Sequence, residues 1–496
     1  MKIYQNITAK NVAIIAFATT MLFTGCKKSF LDVPPQGAPA ETVFWKTGDD
    51  ATKAVNSIYA NLRGWTEVSF APIAIESLGS DETETGSDAT DGSVPAMNMY
   101  NSFTATSTQG FIADFWIGRY QTVNLCNQVL DNIPAIEMDG ALKTRYLAEA
   151  KFVRAYAYFR LVRAFGDVPL RLHLPKDASE FNIPRNPKAE VYAAIEQDLN
   201  DAAAALPPSY SGNDIGRATK GAALALHAKV AMYQKKWADV LALTNQVKGL
   251  GYSLFPNYEQ SFRTNNENNS ESVFEIQAEL VPGNPDASNS QYSQVQGVRS
   301  VVGGGWGFNI PTQSLADAFE TGDPRRDATI IFRGETTPEG DAIPNSVPNA
   351  MYNQKSYVPF SMYQSGFNEG CQQNIRVIRY AEVLLMNAEA ANELGDAATA
   401  IASLELVRAR ARGGNNAILP KVTTTDKDAL RTAIWNERRV ELAMEFDRYF
   451  DVIRQGRAQA IFGPMGWKPN KNELWPIPDA EVQLSGGILV QNPGYN

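Results

Sequence analysis

A mainly α-helical fold of paired helices is what this sequence predicts, and three observations carry the reading. Apolar residues recur at spacings of three and four over long stretches, Gly, Asp and Pro cut those stretches at their ends, and small residues fill the faces that would meet. From Leu142 to Phe165 the run LKTRYLAEAKFVRAYAYFRLVRAF sets Leu147, Ala150, Ala157, Leu161 and Ala164 near one face. Gly166-Asp167-Val168-Pro169 stops it, because Gly accepts the left-handed cap and Pro cannot continue the helix. Gly221 to Val247 is a second run, with Leu226, Val230, Tyr233 and Trp237 spaced by four, three and four. A third, from Arg379 to Arg412, breaks at Leu394-Gly395-Asp396 and resumes as an amphipathic helix. The second and third runs share one scheme, in which a helix rich in small residues turns briefly and re-enters a second helix.

That scheme resembles tetratricopeptide repeats, where small residues let paired helices approach closely and neighbouring pairs bury each other's faces. The expected architecture is tetratricopeptide-like helical pairs in an α-α superhelix with a loop-rich insertion region; on spacing alone, a coincidental pair of αα-hairpins is the alternative. Between the helical blocks lie Gly79 to Gly110, rich in Ser, Thr and Asp, Thr264 to Gly307, rich in Asn, Gln, Ser and Gly, and the irregular Pro338 to Gln373. Loops this long in a helical protein are disordered or functional, and the aromatic residues in them favour function.

Composition narrows the chemistry. A length of 496 residues corresponds to two or three structural units or one large fold. The balance of 45 Lys+Arg against 54 Asp+Glu gives −9, with 44% hydrophobic and 20% charged residues, an ordinary globular composition. Net acidity argues against a dedicated nucleic-acid binder. Two histidines, His173 and His227, and three cysteines, Cys26, Cys126 and Cys371, leave no zinc-type cluster, no CxxC pair and little room for His-dependent catalysis. What remains is an enzyme built on carboxylates, or a protein that binds without reacting.

The first residues indicate a destination. Lys2 and Lys10 precede an apolar stretch from Val12 to Phe23, the pattern of a secretory signal too short to remain as a membrane helix. Phe23-Thr24-Gly25-Cys26 follows and resembles a bacterial lipobox, so the expected reading is residues 1–25 as a lipoprotein signal peptide and Cys26 as the lipid attachment site, with a conventional signal peptide and an incidental cysteine as the alternative. Several acyl chains hold a membrane stably where one is marginal. Removing the leader takes Lys2 and Lys10 with it, so the formal charge moves from −9 to −11. Residues 26–40, with Pro34, Pro35, Gly37 and Pro39, read as a tether. The body divides into a helical region at 41–250 and a region at 251–496 that contains the insertion.

An ordered set of segments resembles the SusD/RagB family of outer-membrane nutrient-uptake lipoproteins of Bacteroidetes. They are Cys26 to Asp32, Glu149 to Tyr156 leading to Phe165-Gly-Asp-Val-Pro-Leu170, and Gly216 to Ala223. Next come Arg379 to Leu385 with Ala388-Glu-Ala390, and Asn436 to Ala443 with Arg448-Tyr-Phe-Asp451. Pro476-Ile-Pro478 and Gln491 to Tyr495 complete the set. The resemblance implies a surface-exposed lipoprotein of the outer membrane, with no enzymatic activity. Its partner would be a SusC-like TonB-dependent transporter, to which it passes an oligomeric nutrient, in most members a glycan and in some a peptide. A membrane-anchored glycan hydrolase is the rival reading, and a purely structural assembly protein a third.

The charged and aromatic residues can be weighed on their own chemistry. Asn436 to Arg457 is the most charged helix-like stretch, with Glu437, Glu441 and Glu445 four apart on one face. Carboxylates one turn apart serve as an acid/base pair in a glycosidase or, far more commonly, as ion-pair partners. Glu149 with Arg154, and Glu382 with Glu389, are read structurally too. Asp81 to Asp91 is dense in oxygen ligands, so calcium is chemically possible, but the spacing departs from the EF-hand pattern and a solvated acidic loop is expected; no cofactor is assigned.

A sugar stacks its C–H face on an aromatic ring and needs polar groups at the rim. The glycine-flanked Trp306, with Tyr292, Arg299 and Asn309 nearby, fits that need, as do Tyr100 and Asn101 in the earlier loop and Trp65 after Gly64. These seven residues are the candidate glycan-binding set; the alternative for each aromatic is that it packs inward and pins its loop. Trp116, Trp237 and Trp475 are assigned to the core, His173 and His227 to local packing, and Cys126 with Cys371 is open as a disulfide.

Overall fold

A computed structural model describes residues 44–279, 281, 290–301, 304–362 and 371–495. The signal peptide, Cys26 and the tether at 26–40 lie outside the described residues. The long helices are α1 (Gly48–Leu62), α2 (Gly110–Asn132), α3 (Gly140–Phe165), α4 (Lys188–Ala205), α5 (Lys220–Tyr233), α6 (Trp237–Lys248), α7 (Tyr380–Glu393), α8 (Ala397–Arg412) and α9 (Lys427–Glu441). Each packs on its neighbour in sequence: α2 on α3, α3 on α4, α4 on α5, α5 on α6, and α7 on both α8 and α9. The row is unbroken across the insertion because α6 packs on α7. There Asn387 donates to Thr244 Oγ1 at 2.9 Å and accepts from Ser403 Oγ at 2.7 Å, linking three helices by one buried amide. The mainly α expectation and its superhelix of helical pairs hold.

Local chemistry sets the ends. Asp139, Thr219, Asp396 and Asp426 cap α3, α5, α8 and α9, each accepting the backbone N–H of the third helical residue. Gly166 ends α3 at φ 73°, a conformation side-chain-bearing residues resist. α5 is buried on nearly all sides, as its Gly-Ala-Ala-Leu-Ala-Leu sequence allows, and α7 is buried along almost its whole length. One hydrophobic core runs from Ala51 to Leu489, across the expected division at residue 250. Trp116 and Trp475 lie inside it and Trp237 packs against it half-buried. Cys126 and Cys371 are both buried free thiols, so the disulfide left open by the sequence is not formed.

The insertion, 249–379, is closed at its base by an antiparallel pair, β2 (Ser272–Ile276) with β6 (Ile375–Arg379). A second pair joins β1 (Thr83–Gly86) to β3 (Phe308–Pro311), and a third joins β4 (Ile330–Phe332) to β5 (Met351–Asn353). The β1–β3 ribbon brings the early polar loop against the late one. It also corrects the solvated-loop reading of Asp81 to Asp91: Glu82, Thr83 and Thr85 are buried, and Asp81 pairs with Arg439 and Arg448 at 2.8 Å each.

A second correction concerns Asn436 to Arg457. The helix ends at Glu441, Met444 and Phe446 take positive φ, and a short helix resumes over Arg448–Arg454. Glu445 nonetheless joins Glu441 through Arg379, which reaches Glu441 at 3.0 Å and Glu445 at 2.7 Å. Arg325 and Arg410 add further contacts to Glu441 at 3.1 and 2.5 Å. Burial alone would raise the Glu441 carboxyl, but Arg410, Arg379 and Arg325 pull it down to about 2. These carboxylates are ion-pair partners in the interior. Arg154 pairs with Asp198 rather than with Glu149, whose cations are Arg145 and Arg217. Glu382 meets Lys229 and Arg438, and Glu389 meets Arg454.

Candidate functional site

The short helix Trp65–Val68 follows α1 and is seated on α2. Gly118 of α2 permits the approach, since a Cβ there would stand 2.7 Å from Thr66 Oγ1. Beneath it, Arg119 donates to Thr66 O at 2.6 Å, and Glu67 accepts from Thr122 Oγ1 at 3.0 Å and from Arg160 at 2.8 Å. Arg119 lies over the Phe115 ring, 3.8 Å from its centroid. This anchoring leaves the Trp65 side chain outermost, 40% exposed.

Trp306 reaches the same place from the insertion. Its N–H donates to Gln294 O at 2.7 Å and the Gly305 N–H to Val298 O at 2.8 Å, so the loop folds back on the short helix Tyr292–Gln296. Gly305 is required there because any Cβ would collide with the Gln294 carbonyl. The Trp306 ring stands 5.9 Å from Trp65 and 5.9 Å from Phe70, while Phe70 packs on Phe308 at 4.8 Å and Phe111 at 5.5 Å. Two half-exposed indoles therefore form a ledge on a floor of phenylalanines. Its rim is Arg299, which donates to Asp91 at 3.0 Å and to the Trp306 carbonyl at 3.3 Å.

A cleft of about 1110 Å³ opens beyond the β1–β3 ribbon, lined by Glu84, Asp88, Asn98, Gln313 and Asn349. Ser87 also lines it and reaches toward Asp91, so the cleft adjoins the rim. Hydrogen bonds from the Thr90 hydroxyl and backbone hold the Asp88 carboxyl below its usual range. The ledge, the rim pair and this cleft supply a stacking surface beside oxygen and amide groups, the complement of a ligand with an apolar face and polar edges.

Of the seven sequence-derived candidates, the structure brings Trp65, Trp306 and Arg299 together. Tyr100, Tyr292 and Asn309 are buried and present no surface, which corrects their reading as contacts, whereas Asn101 lines the polar cleft with its amide engaged by the loop. Tyr100 is fully buried against Phe111 and Trp475. Tyr292 packs on Phe446, and burial pushes its phenol up. Asn309 is fully buried at φ 57°, donating to Gln296 Oε1 at 2.8 Å and accepting from Ser77 at 2.8 Å. Asn101 spends both amide hydrogens on Leu78 O at 2.6 Å and Thr83 O at 3.0 Å and accepts from Thr85, fastening the loop. Each is a support whose removal would loosen the ledge or its ribbon. Asp91, Phe70 and Phe111 belong to the site and were not singled out; only the apolar Phe70-Ala-Pro-Ile-Ala-Ile75 run hinted at a floor.

A helical-repeat body that carries an aromatic ledge, with one indole from a short helix after α1 and the other from the insertion, defines a class, the scaffolded binding proteins. A family described as the SusD family matches residues 270–495, and one described as starch-binding associating with outer membrane matches 29–232. A laminarin-binding SusD-like protein of known structure is 31% identical, with a TM-score of 0.78, covering 91% of this chain and 100% of that one. The surface glycan-binding protein A of Bacteroides fluxus is 25% identical with a TM-score of 0.77, over 91% of this chain and 100% of that one. A SusD-like protein of Formosa agariphila is 28% identical over 98% of this chain and all of its own length. The chain belongs to the SusD family.

Proposed function

We propose that this protein is a glycan receptor of the cell surface, lipid-anchored to the outer membrane at Cys26, that passes captured oligosaccharide to a SusC-like TonB-dependent transporter without transforming it. The observation that carries the reading is the meeting of Trp65 and Trp306 at 5.9 Å beside the Arg299–Asp91 pair. Stacking on the two indoles selects a ligand with a flat C–H face, and the charged rim and polar cleft accept and donate to its hydroxyls. The laminarin- and glycan-binding relatives support the ligand class, and β-glucan is the first to try. The lipobox supports the anchor, and the family supports the transporter partner.

The experiment is a screen of soluble polysaccharides by affinity electrophoresis, followed by calorimetry on the polymer that retards the protein. Binding without release of reducing sugar is the expected result, with loss on Trp306→Ala. Steady accumulation of free sugar by the purified protein would establish the hydrolase reading instead. Labelling of the wild type but not of Cys26→Ser by an alkyne fatty acid tests the anchor, and co-purification with the barrel tests the partner.

A further inference from the structure

The far side of α2 borders a second cavity, of about 540 Å³, within the range that small ligands fill. Gly118 and Thr122 face the Trp65 helix, whereas Trp116, Tyr120, Asn124 and Asn127 line this cavity. At 3.6 residues per turn, position 118 lies about 200° around the helix from 116, so the two surfaces are back to back. The loop 169–183 and the short helix Asp479–Leu484 close the other walls.

The cavity is built before any ligand arrives. Tyr120 donates to Pro169 O at 2.8 Å, Asn127 to Arg171 O at 3.0 Å, and Arg171 to Glu180 O at 2.7 Å, which together hold the loop in place. Phe181 and Leu484 stand exposed at 57% and 75%, an apolar mouth that water does not favour. Around them Gln121, Asn124 and Asn182 turn exposed amides to the cavity mouth, and none of these takes a partner within the described residues. His173 is fixed by Asp131 at 2.8 Å through Nδ1, leaving Nε2 for a ligand.

We propose that this cavity is a second saccharide site, separate from the ledge and able to hold a glycan when the ledge is disabled. Neutral amides both donate and accept, which matches hydroxyl groups, and the Tyr120 and Phe181 rings supply stacking faces. An apolar peptide segment would cover Phe181 and Leu484 but leave three amides and an imidazole unmatched at the contact. Two sites back to back would let one chain hold a polymer at two points or hold two polymers, raising retention through effective concentration.

Crystals of the protein are soaked in turn with laminarihexaose, maltohexaose, cellohexaose and mannohexaose. Calorimetry then compares the Trp65→Ala/Trp306→Ala variant with and without Phe181→Ala, using each sugar. Density for a sugar against Phe181 and Asn124, with a residual affinity that falls about tenfold or more on adding Phe181→Ala, is the expected result. A cavity empty in all four soaks overturns the proposal whether or not the ledge is filled. Binding at crystal concentration only, with no residual affinity in solution, overturns it too. A protein segment seated in the cavity assigns the surface to docking instead. Failure of the glycan reading itself would show as an empty ledge and an unbound wild type, a separate outcome from an occupied ledge with an empty cavity.

Discussion

Replacing Trp65 by alanine tests the ledge with a magnitude the structure sets. The residue keeps 40% of its surface exposed. A tryptophan presents up to about 250 Å², so about 100 Å² is available for a ligand to cover. A sugar on one face covers about half of that, and complete enclosure sets the upper limit. At about 25 cal/mol per Å² the loss is about 1.2 to 2.5 kcal/mol. With about 1.4 kcal/mol per decade, Kd rises about 7- to 60-fold. The assay is isothermal titration with the glycan that most retards the wild type, alongside thermal unfolding of both proteins. Trp65→Phe keeps a ring at the edge of Phe70, whose centroid is 5.5 Å away, and should lose less than alanine does. A Kd within about twofold of wild type for Trp65→Ala, on a protein that melts normally, would refute stacking as the source of affinity.

Gly118→Val should weaken the same binding from beneath: its side chain meets Thr66 at 2.7 Å and displaces the Trp65 helix, with overpacking costing about 1–3 kcal/mol, whereas Gly92→Ala, in open space, changes neither melting nor Kd. Glu441→Gln strips the shared counter-charge from Arg325, Arg379 and Arg410, so urea unfolding should show a loss of about 3–5 kcal/mol while glycan affinity of the folded protein is unchanged. Because the folded Glu441 titrates near 2 and the unfolded group near 4.5, its stabilisation is present above pH 4.5 and drains away as pH falls toward 2; Asp447, held down against burial by Lys229, Arg163 and Arg438, adds to the same acid loss, which denaturant curves across that range would follow. Glu82 runs the other way: burial pushes it up to about 7, so it costs stability as pH rises from 4.5 through 7. Glu82→Gln should match wild type at pH 4 and exceed it at pH 8 by up to about 3 kcal/mol.

The helices were legible where periodicity and punctuation agree. Gly166 after Phe165 and Gly395 between two small-residue runs mark the ends of α3 and α7 because a left-handed residue is a local event. The Asn436–Arg457 stretch misleads for the opposite reason: its charge spacing continues through Met444, which is buried, and Phe446, which packs on Tyr292, and the positive φ at both breaks the helix where the spacing gives no sign of it. The site was half legible. Glycines around Trp306 announced a tight loop, but whether an aromatic in such a loop faces in or out depends on what the loop meets. Tyr292 meets Phe446 and Tyr100 meets Trp475, contacts between segments more than a hundred residues apart, and periodicity holds no record of them.

The ledge is a product of the interior as much as of the loops. Glu67 sits two residues after Trp65 and accepts from Arg160, which also grips Glu76, while Glu76 accepts from Arg163 and Arg163 in turn meets Asp447. That chain ties the Trp65 helix to α3 and to the turn before the short helix Arg448–Arg454. Ion pairs this deep add little net stability over an apolar packing of the same volume, since desolvation offsets their attraction. Their geometric demand is stricter: each guanidinium fork fixes the direction as well as the distance of its carboxylate. A stacking surface needs its rings held at one height and tilt before the ligand arrives, because ordering them afterwards subtracts from affinity. Asp447, which immediately precedes the family's Arg448-Tyr-Phe-Asp451 motif, thus bears on binding indirectly, through the rigidity of the body on which indoles from residues 65 and 306 are set side by side.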